Sequence, residues 1–283
     1  MTPRLLISDL DGTLLGSDLR LDPRDVEAAH DAVRSGRWLG VASGRMYRSA
    51  LPYALELRAT LPLVCYQGAL IQELPDADPD AGAHHRPRVL HRQDVPPGLS
   101  LEVLRLCRRH GYTLNVYQDD QLYVDEINDD VRFYTGIAQV EAEVARHPSL
   151  EQRLSRGSTK LTVVSARLDR FTQALDELRH QLRGRAVVTR SVVGFCEITA
   201  PGVDKGRALR WLCRHLGVDP GETVAVGDAP NDLPLLEAAG VKVAVESAAP
   251  ELRAIADLVV PGPGGGGLAE VVRRLGLDQP DAG

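Results

Sequence analysis

Residues 5–14, Leu5-Leu6-Ile7-Ser8-Asp9-Leu10-Asp11-Gly12-Thr13-Leu14, run apolar and then turn abruptly acidic. A short apolar run bounded by Gly12 reads as a buried parallel strand ending at a tight loop, although periodicity alone also fits a helical segment. In an open α/β sheet the ligand crevice lies outside the carboxyl ends of the strands, so this strand would deliver Asp9 and Asp11 to a site. Two carboxylates so close raise each other's pKa and repel unless a cation lies between them. A hard ion such as Mg²⁺ takes oxygen ligands and keeps waters that a phosphate can displace. The same letters also spell ordinary turn chemistry, because Asp bonds its own backbone and Gly accepts positive φ. The context elsewhere in the chain decides between these readings.

The chain has 283 residues, 43% of them hydrophobic, enough to bury a substantial core in one large domain or two smaller ones. A formal net charge of −6 argues against a general nucleic-acid binder, which needs a basic face to displace counterions. Cys65, Cys107, Cys196 and Cys213 form no Cys-x-x-Cys pair and have mostly apolar neighbours, as buried thiols in a reducing compartment do. Met1 to Arg4 is too short for a signal peptide, and no apolar stretch approaches bilayer length. The expectation is a soluble cytoplasmic protein with no nucleic-acid or membrane partner; oligomeric state leaves no mark in the sequence.

Taken in order, the chain alternates strands and helices. Asp22 and Pro23 make an N-cap and a first-turn proline, and Val26, Ala29 and Val33 repeat at helical spacing up to Gly36. Trp38 to Ala42 reads as a second buried strand ending in Ser43-Gly44-Arg45. A helix follows, with a break at Pro52 left open, and then a third strand, Pro62 to Tyr66, ending in Gln67-Gly68-Ala69. Such alternation implies βαβ units and a parallel sheet. Asp76 to Pro87 reads as a connection: Asp76, Asp78 and Asp80 hint at a calcium loop, but Ala81 and Pro87 stand where its glycine and bidentate glutamate belong. His84, His85 and His91 find no convincing ligand partner.

Between about His85 and Val192 the texture becomes that of an α+β sheet. Helices are expected near Leu99–His110 and Leu168–Leu182, a hairpin around Asn115–Val124, and strands at Lys160–Ser165 and Ala186–Thr189. The βα rhythm then resumes. Phe195 to Thr199 reads as a strand returning to the core, and Asp204 caps a helix that Gly217 ends. Thr223 to Val226 leads into Gly227-Asp228-Ala229-Pro230-Asn231-Asp232, and further strands at Val241–Val245 and Leu258–Val260 alternate with helices. Gly262 to Gly267 lacks the Lys and Ser/Thr of a phosphate-cradling loop and reads as a flexible turn. The domain expectation is therefore a core in two parts, 1–84 and 193–283, with an inserted α+β module at 85–192.

Asp9 with Asp11, Ser43, Lys205, and Asp228 with Asp232 all fall at strand carboxyl ends or at a helix start. Phosphoryl transfer asks for a nucleophile, a proton donor, a metal and groups that absorb charge on oxygen, and each has a candidate here. In order and residue type the set resembles the haloacid dehalogenase (HAD) superfamily of phosphatases. Asp9-Leu10-Asp11-Gly12-Thr13 looks like the first motif, Ser43-Gly44-Arg45 the second, Lys205-Gly206 the third, and residues 227–232 the fourth. The long insert between the second and third motifs stands where the Cof-type subgroup (type IIB) carries its α/β cap. The fold class implied is α/β, a Rossmann-like parallel-sheet core with an inserted α+β cap.

The resemblance also implies roles. Asp9 attacks phosphorus, and Asp11 protonates the leaving group and later deprotonates water. Mg²⁺ is held by Asp9, the backbone carbonyl of Asp11 and Asp228, with Asp232 a ligand or an outer orienter. Ser43, Gly44 and amides near Gly12 meet the phosphoryl oxygens, Lys205 neutralises shared charge, and Asn231 orients the array. Arg45 touches substrate or pairs with a carboxylate, and stays outside the catalytic set. Gln67, counted with the substrate-binding residues, stands where the family usually shows Asn, one methylene further out, which leaves open how that position meets the phosphate. A cap closing over the site would read the rest of a small phosphorylated metabolite, a sugar phosphate among the candidates, through residues such as Asn115, Tyr117, Tyr123 and Lys160. The rivals to a phosphatase are a phosphomutase of the same fold and a non-catalytic metabolite-binding module.

Overall fold

Leu5–Ser8 forms the first strand, β1, in a computed structural model that describes residues 3–75, 87–190 and 194–280. All four of its residues are buried, as expected where both faces of a parallel sheet are covered. Asp22 caps α1 (Pro23–Arg34), accepting a hydrogen bond from the Arg24 amide at 2.8 Å. The chain then enters β2 (Trp38–Val41), parallel to β1. The next helix, α2 (Tyr47–Glu56), runs through Pro52 without a break.

The third strand departs from expectation. β3 (Leu63–Cys65) is shorter than Pro62–Tyr66 and joins a small separate sheet with β4 (Leu70–Gln72) and β5 (Val89–Arg92). A tight turn explains this: Tyr66, Gln67 and Gly68 all take positive φ, at 51°, 62° and 101°, and fold the chain back as an antiparallel neighbour. One isolated parallel bridge, Ala42 to Val64, ties β3 to the end of β2.

The next elements build a second unit: α3 (Pro97–His110), β6 (Thr113–Gln118), β7 (Gln121–Val124), α4 (Asp129–Ala138), β8 (Ala142–Val144), α5 (Leu150–Leu154), β9 (Lys160–Val164), α6 (Leu168–Gln181), β10 (Val187–Arg190) and β11 (Phe195–Thr199). Its six strands lie in the order β10-β11-β9-β6-β7-β8, antiparallel except for the β7–β8 pair. Leu114, Val116, Leu161, Val163, Cys196 and Ile198 from one face pack with α3, α5 and α6 into this unit's apolar core.

β11 corrects the expectation that residues 195–199 return to the first sheet. It pairs with β9 and β10 instead, and Cys196 and Ile198 enter the second unit's core. A five-residue buried run looks alike in either sheet, so the letters alone did not assign it.

The remaining elements complete the first sheet: α7 (Lys205–Leu216), β12 (Thr223–Gly227), α8 (Leu233–Ala238), β13 (Val241–Val245), α9 (Pro250–Ile255), β14 (Leu258–Val260) and α10 (Gly267–Leu275). Its strands are all parallel, in the order β14-β13-β12-β1-β2. The chain thus divides into two compact units, Met1–His91 with Asp204–Gly283, and Arg92–Val203. The expected boundaries at 84/85 and 192/193, the Asp76–Asp80 carboxylates, and His84 and His85 lie outside the described residues. All four cysteines are free and buried. Among the described residues no helix is long and apolar enough to cross a membrane.

Two contacts from α1 tie down the glycine run and the start of α10. Arg24 donates to the Gly264 carbonyl at 2.9 Å, and buried Asp25 accepts from the Ala269 amide at 2.9 Å. Gly206 has a packing reason too, since α7 meets the start of α8 so closely that a Cβ there would lie 2.0 Å from the Pro234 carbonyl oxygen. Gly206→Ala is expected to cost about 1–3 kcal/mol by forcing the two helices apart, measured as a fall in the urea midpoint.

Candidate active site

Asp9 follows the last residue of β1, and its backbone is fixed by the sheet: its amide donates to the Val226 carbonyl at 3.0 Å. Lys205 is the first residue of α7, set there by Asp204, whose side chain accepts from the Arg207 amide at 2.6 Å. The Lys205 side chain is wholly buried, and its Nζ donates to Asp9 Oδ1 at 2.5 Å and to Asp232 Oδ1 at 2.6 Å. Burial works against this ammonium, but Asp232 and Asp9 overcome it and hold its pKa above the ordinary lysine value.

Asp232 stands at the N-cap position of α8 yet makes no side-chain cap bond. Its Oδ2 instead accepts from the Asp228 and Ala229 amides at 3.1 and 3.2 Å, closing the loop that carries Asp228. Asp9, Asp228 and Asp232 each offer a carboxylate oxygen within 4.8 Å of the others'. Burial, with Asp232 next in weight, pushes the Asp228 carboxyl up to about 6. Burial likewise raises Asp9 well above the ordinary carboxylate range; Lys205 opposes this, and Asp232, Asp228 and Asp11 reinforce it.

Asp11 is differently placed, and its carboxylate is not one of the trio. Arg45 grips it with both arms, Nη2 to Oδ1 at 2.6 Å and Nε to Oδ2 at 2.8 Å, with the guanidinium lying 5.2 Å from the centre of the Tyr53 ring. Arg45, left open between substrate and carboxylate by the sequence, therefore pairs with a carboxylate. Thr13 is a residue the sequence reading left without a role: its hydroxyl lies 3.1 Å from Asp228 Oδ1 and 3.4 Å from Asp9 Oδ2. Its place two residues after Asp11 in the opening motif was the available signal.

Gly12 contributes space rather than its N–H. That amide donates to the Leu15 carbonyl at 2.9 Å, and with φ at +83° the residue lets Asp228 come so near that a Cβ would lie 2.3 Å from its Oδ2. Ser43 is fully buried and its hydroxyl oxygen accepts from the Arg45 amide at 3.1 Å. Gln67 reaches across from the turn after β3: its Oε1 accepts from Asn231 Nδ2 at 3.0 Å, and its Nε2 fills the space beside the Gly44 Cα. So Asp9, Thr13, Asp228, Asp232 and Lys205 form one cluster, Asp11 and Arg45 form a pair, and Gln67 joins Asn231 to Gly44. In the second unit Asn115, Tyr117 and Lys160 share a sheet face, whereas Tyr123 packs toward the helix-covered side under Arg153.

The profile of the haloacid dehalogenase-like hydrolases matches residues 6–272, and the chain belongs to that family. A phosphoglycolate phosphatase of Methanopyrus kandleri is 28% identical over 279 residues, covering 98% of this chain and 99% of the relative. The pyridoxal phosphate phosphatase YbhA of Escherichia coli is 26% identical, covering 92% and 94%. The subclass IIB sugar phosphatase BT4131 shares the fold at a TM-score of 0.79 and 19% identity, covering 97% of this chain and 99% of that one. Within the family the chain is a phosphatase of the Cof type, acting on phosphorylated small molecules.

A buried charge stripped of its partner is far costlier than the pair it belonged to. Lys205→Met, which leaves Asp9 and Asp232 facing each other without the ammonium, is expected to lower stability by about 3–5 kcal/mol, measured by urea unfolding with a chelator present.

Proposed function

We propose that the enzyme is a Mg²⁺-dependent phosphomonoesterase that works through a phosphoryl group on Asp9. The observation that carries this is the cluster of Asp9, Asp228 and Asp232, with ligand oxygens within 4.8 Å and Lys205 bonded to two of them. The donor set fits the ion: all are hard oxygens, and three carboxylates face one ammonium; burial first and Asp232 second raise the Asp228 pKa, a cost that a cation would offset. Asp9, Asp228 and the Asp11 carbonyl are the residues to hold Mg²⁺. Asp232 orients from behind, because both its oxygens already accept hydrogen bonds. When bound, Mg²⁺ supplies Lewis-acid polarisation of phosphoryl oxygens.

This chain's own groups account for the rest. A carboxylate oxygen of Asp9 attacks phosphorus while Lys205 holds the side chain in line and takes up charge shared between it and the phosphoryl group. The Ser43 hydroxyl donates to a phosphoryl oxygen, and Gln67 keeps Asn231 turned toward the same rim. Asp11 gives its proton to the leaving oxygen and then removes one from the attacking water, two halves of one role. Because Arg45 occupies both Asp11 oxygens, the carboxyl has to leave that guanidinium before it can reach the substrate. The substrate is a small phosphorylated metabolite; relatives named for phosphoglycolate and pyridoxal phosphate mark the size range.

With Mg²⁺ and p-nitrophenyl phosphate, Asp9→Asn is expected to reduce kcat by at least about a thousandfold, and undiminished turnover would refute Asp9 as nucleophile. A second outcome concerns pH. The folded-state pKa of Asp228, about 6, lies above the ordinary 3.8, so without metal its contribution to stability is full below 3.8 and is lost as pH rises through about 6. Metal needs the deprotonated carboxylate, so the Tm gained on adding Mg²⁺ is expected to grow as pH rises through about 6, and Asp228→Asn to abolish that gain.

A further inference from the structure

Three stretches of the first unit, 43–45, the start of α7 and 227–232, come from distant parts of the sequence, and one short turn touches all of them. It is Tyr66-Gln67-Gly68, which follows β3. Its backbone bonds the first stretch: the Tyr66 amide donates to the Arg45 carbonyl at 3.0 Å, and the Gln67 amide to the Ser43 carbonyl at 3.1 Å. Gly68 meets the second so closely that a Cβ there would lie 2.6 Å from the Asp204 carbonyl oxygen. The Gln67 side chain takes the third, through the 3.0 Å bond that its Oε1 accepts from Asn231 Nδ2. Its Nε2 meanwhile lies over Gly44, where a Cβ would come within 2.4 Å of it.

This turn is built at a cost. Tyr66 and Gln67 hold φ at +51° and +62°, where side chains are disfavoured, and Gln67 buries its amide, leaving 7% of the residue exposed. Local structure gains from neither feature. Glycine at position 67 would make the same backbone turn without strain, and an apolar side chain would fill the space without desolvating an amide. What the glutamine supplies is a polar group that reaches from the turn to both neighbouring loops. Backbone strain persists only where the surroundings over-determine it, and it collects where geometry serves a task.

We infer that Gln67 is a positioning residue that sets the spacing between loop 43–45 and loop 227–232, and so fixes the Ser43 hydroxyl relative to the Asp228 carboxylate. The inference rests on the phosphatase reading above and deepens it, because Gln67 acts through Asn231 and Gly44 and not on the phosphoryl group itself. Phosphoryl oxygens need a donor from the first loop and a cation held from the second at the same time. A bound substrate tolerates a loosened spacing by keeping one side, whereas the five-coordinate transition state spans both. Loss of the clasp therefore falls on kcat more than on KM.

The test uses the full chain with Mg²⁺ and p-nitrophenyl phosphate. Gln67→Met keeps length and bulk but removes both polar atoms, and Gln67→Gly removes the side chain while freeing the turn of strain. Both are expected to lower kcat about tenfold or more and to change KM less than about threefold. Calorimetric titration is expected to show orthovanadate, whose five-coordinate adduct copies the transition state, weakened about tenfold or more, and inorganic phosphate shifted less than about threefold. Asn231→Ala cuts the same bond from the other loop and covers the case in which neither Gln67 variant folds. Since one bond joins the two residues, Gln67→Met with Asn231→Ala is expected to lose no more than the worse single variant. Losses that multiply overturn the inference, as does a kcat within about twofold of the wild type in the Gln67 variants, or a loss confined to KM. A wild type without turnover overturns the phosphatase reading and the inference with it, whereas turnover that the variants leave intact overturns the inference alone.

Discussion

One buried ammonium organises the first unit. Lys205 Nζ sits between Asp9 Oδ1 and Asp232 Oδ1 with no exposed surface of its own. A desolvated lysine stays charged only where carboxylates make ionisation more favourable than neutrality, and here they raise its pKa despite burial. The consequence is geometric as much as electrostatic. The end of β1, the first turn of α7 and the loop after β12 come from residues 9, 205 and 232, and they meet at a single nitrogen. The same contact leaves the cluster short of positive charge, because Asp228 and half of each neighbouring carboxylate remain uncompensated. That shortfall raises the Asp9 and Asp228 pKa values further, on top of the effect of burial.

Strand register brings the parts level. Ser8 lies beside Val226 on one side and Val41 on the other, so Asp9, one residue further on, and Asp228 and Ser43, two residues further on, leave the sheet within one residue of the same level. A slip by one residue would turn Asp9 to the opposite face. The strands need no polar signal to find this register, since their buried apolar residues fix it. The polar residues of the cluster are therefore placed by a framework that contains none of them, and the loop 227–232 is closed by Asp232 accepting from the amides of Asp228 and Ala229.

This division explains which parts of the molecule were legible in the letters. The parallel core was readable because each strand is a short apolar run followed by chemistry-bearing residues, and Asp22 and Asp204 cap their helices as their spacing implies. The placement of β11 was not, because burial on both faces erases the alternation that separates one sheet from another. The turn at Tyr66–Gly68 was equally hidden: two consecutive non-glycine residues at positive φ violate local preference, and tertiary contacts must hold them there. At the site the letters marked Asp9, Asp228, Asp232 and Lys205 as a group because each lies at an element's end. They did not show that Arg45 holds Asp11, since pairing between residues 34 apart depends on side-chain reach that no periodicity encodes.

The two units handle buried polarity in different ways. Around Lys205 the ammonium is matched by Asp9 and Asp232, while the three clustered carboxylates keep an excess of negative charge. On the sheet face of the second unit that carries Asn115 and Lys160, Lys160 is matched by Glu197 at 2.9 Å but the Asn115 amide is not matched. A structural role for that asparagine would show in a partner for at least one end of its amide, as Gln118 shows in donating to the Arg153 and Gly157 carbonyls at 3.1 Å. Asn115 is thus a buried amide with no partner at either end, whereas the buried Lys205 ammonium has two.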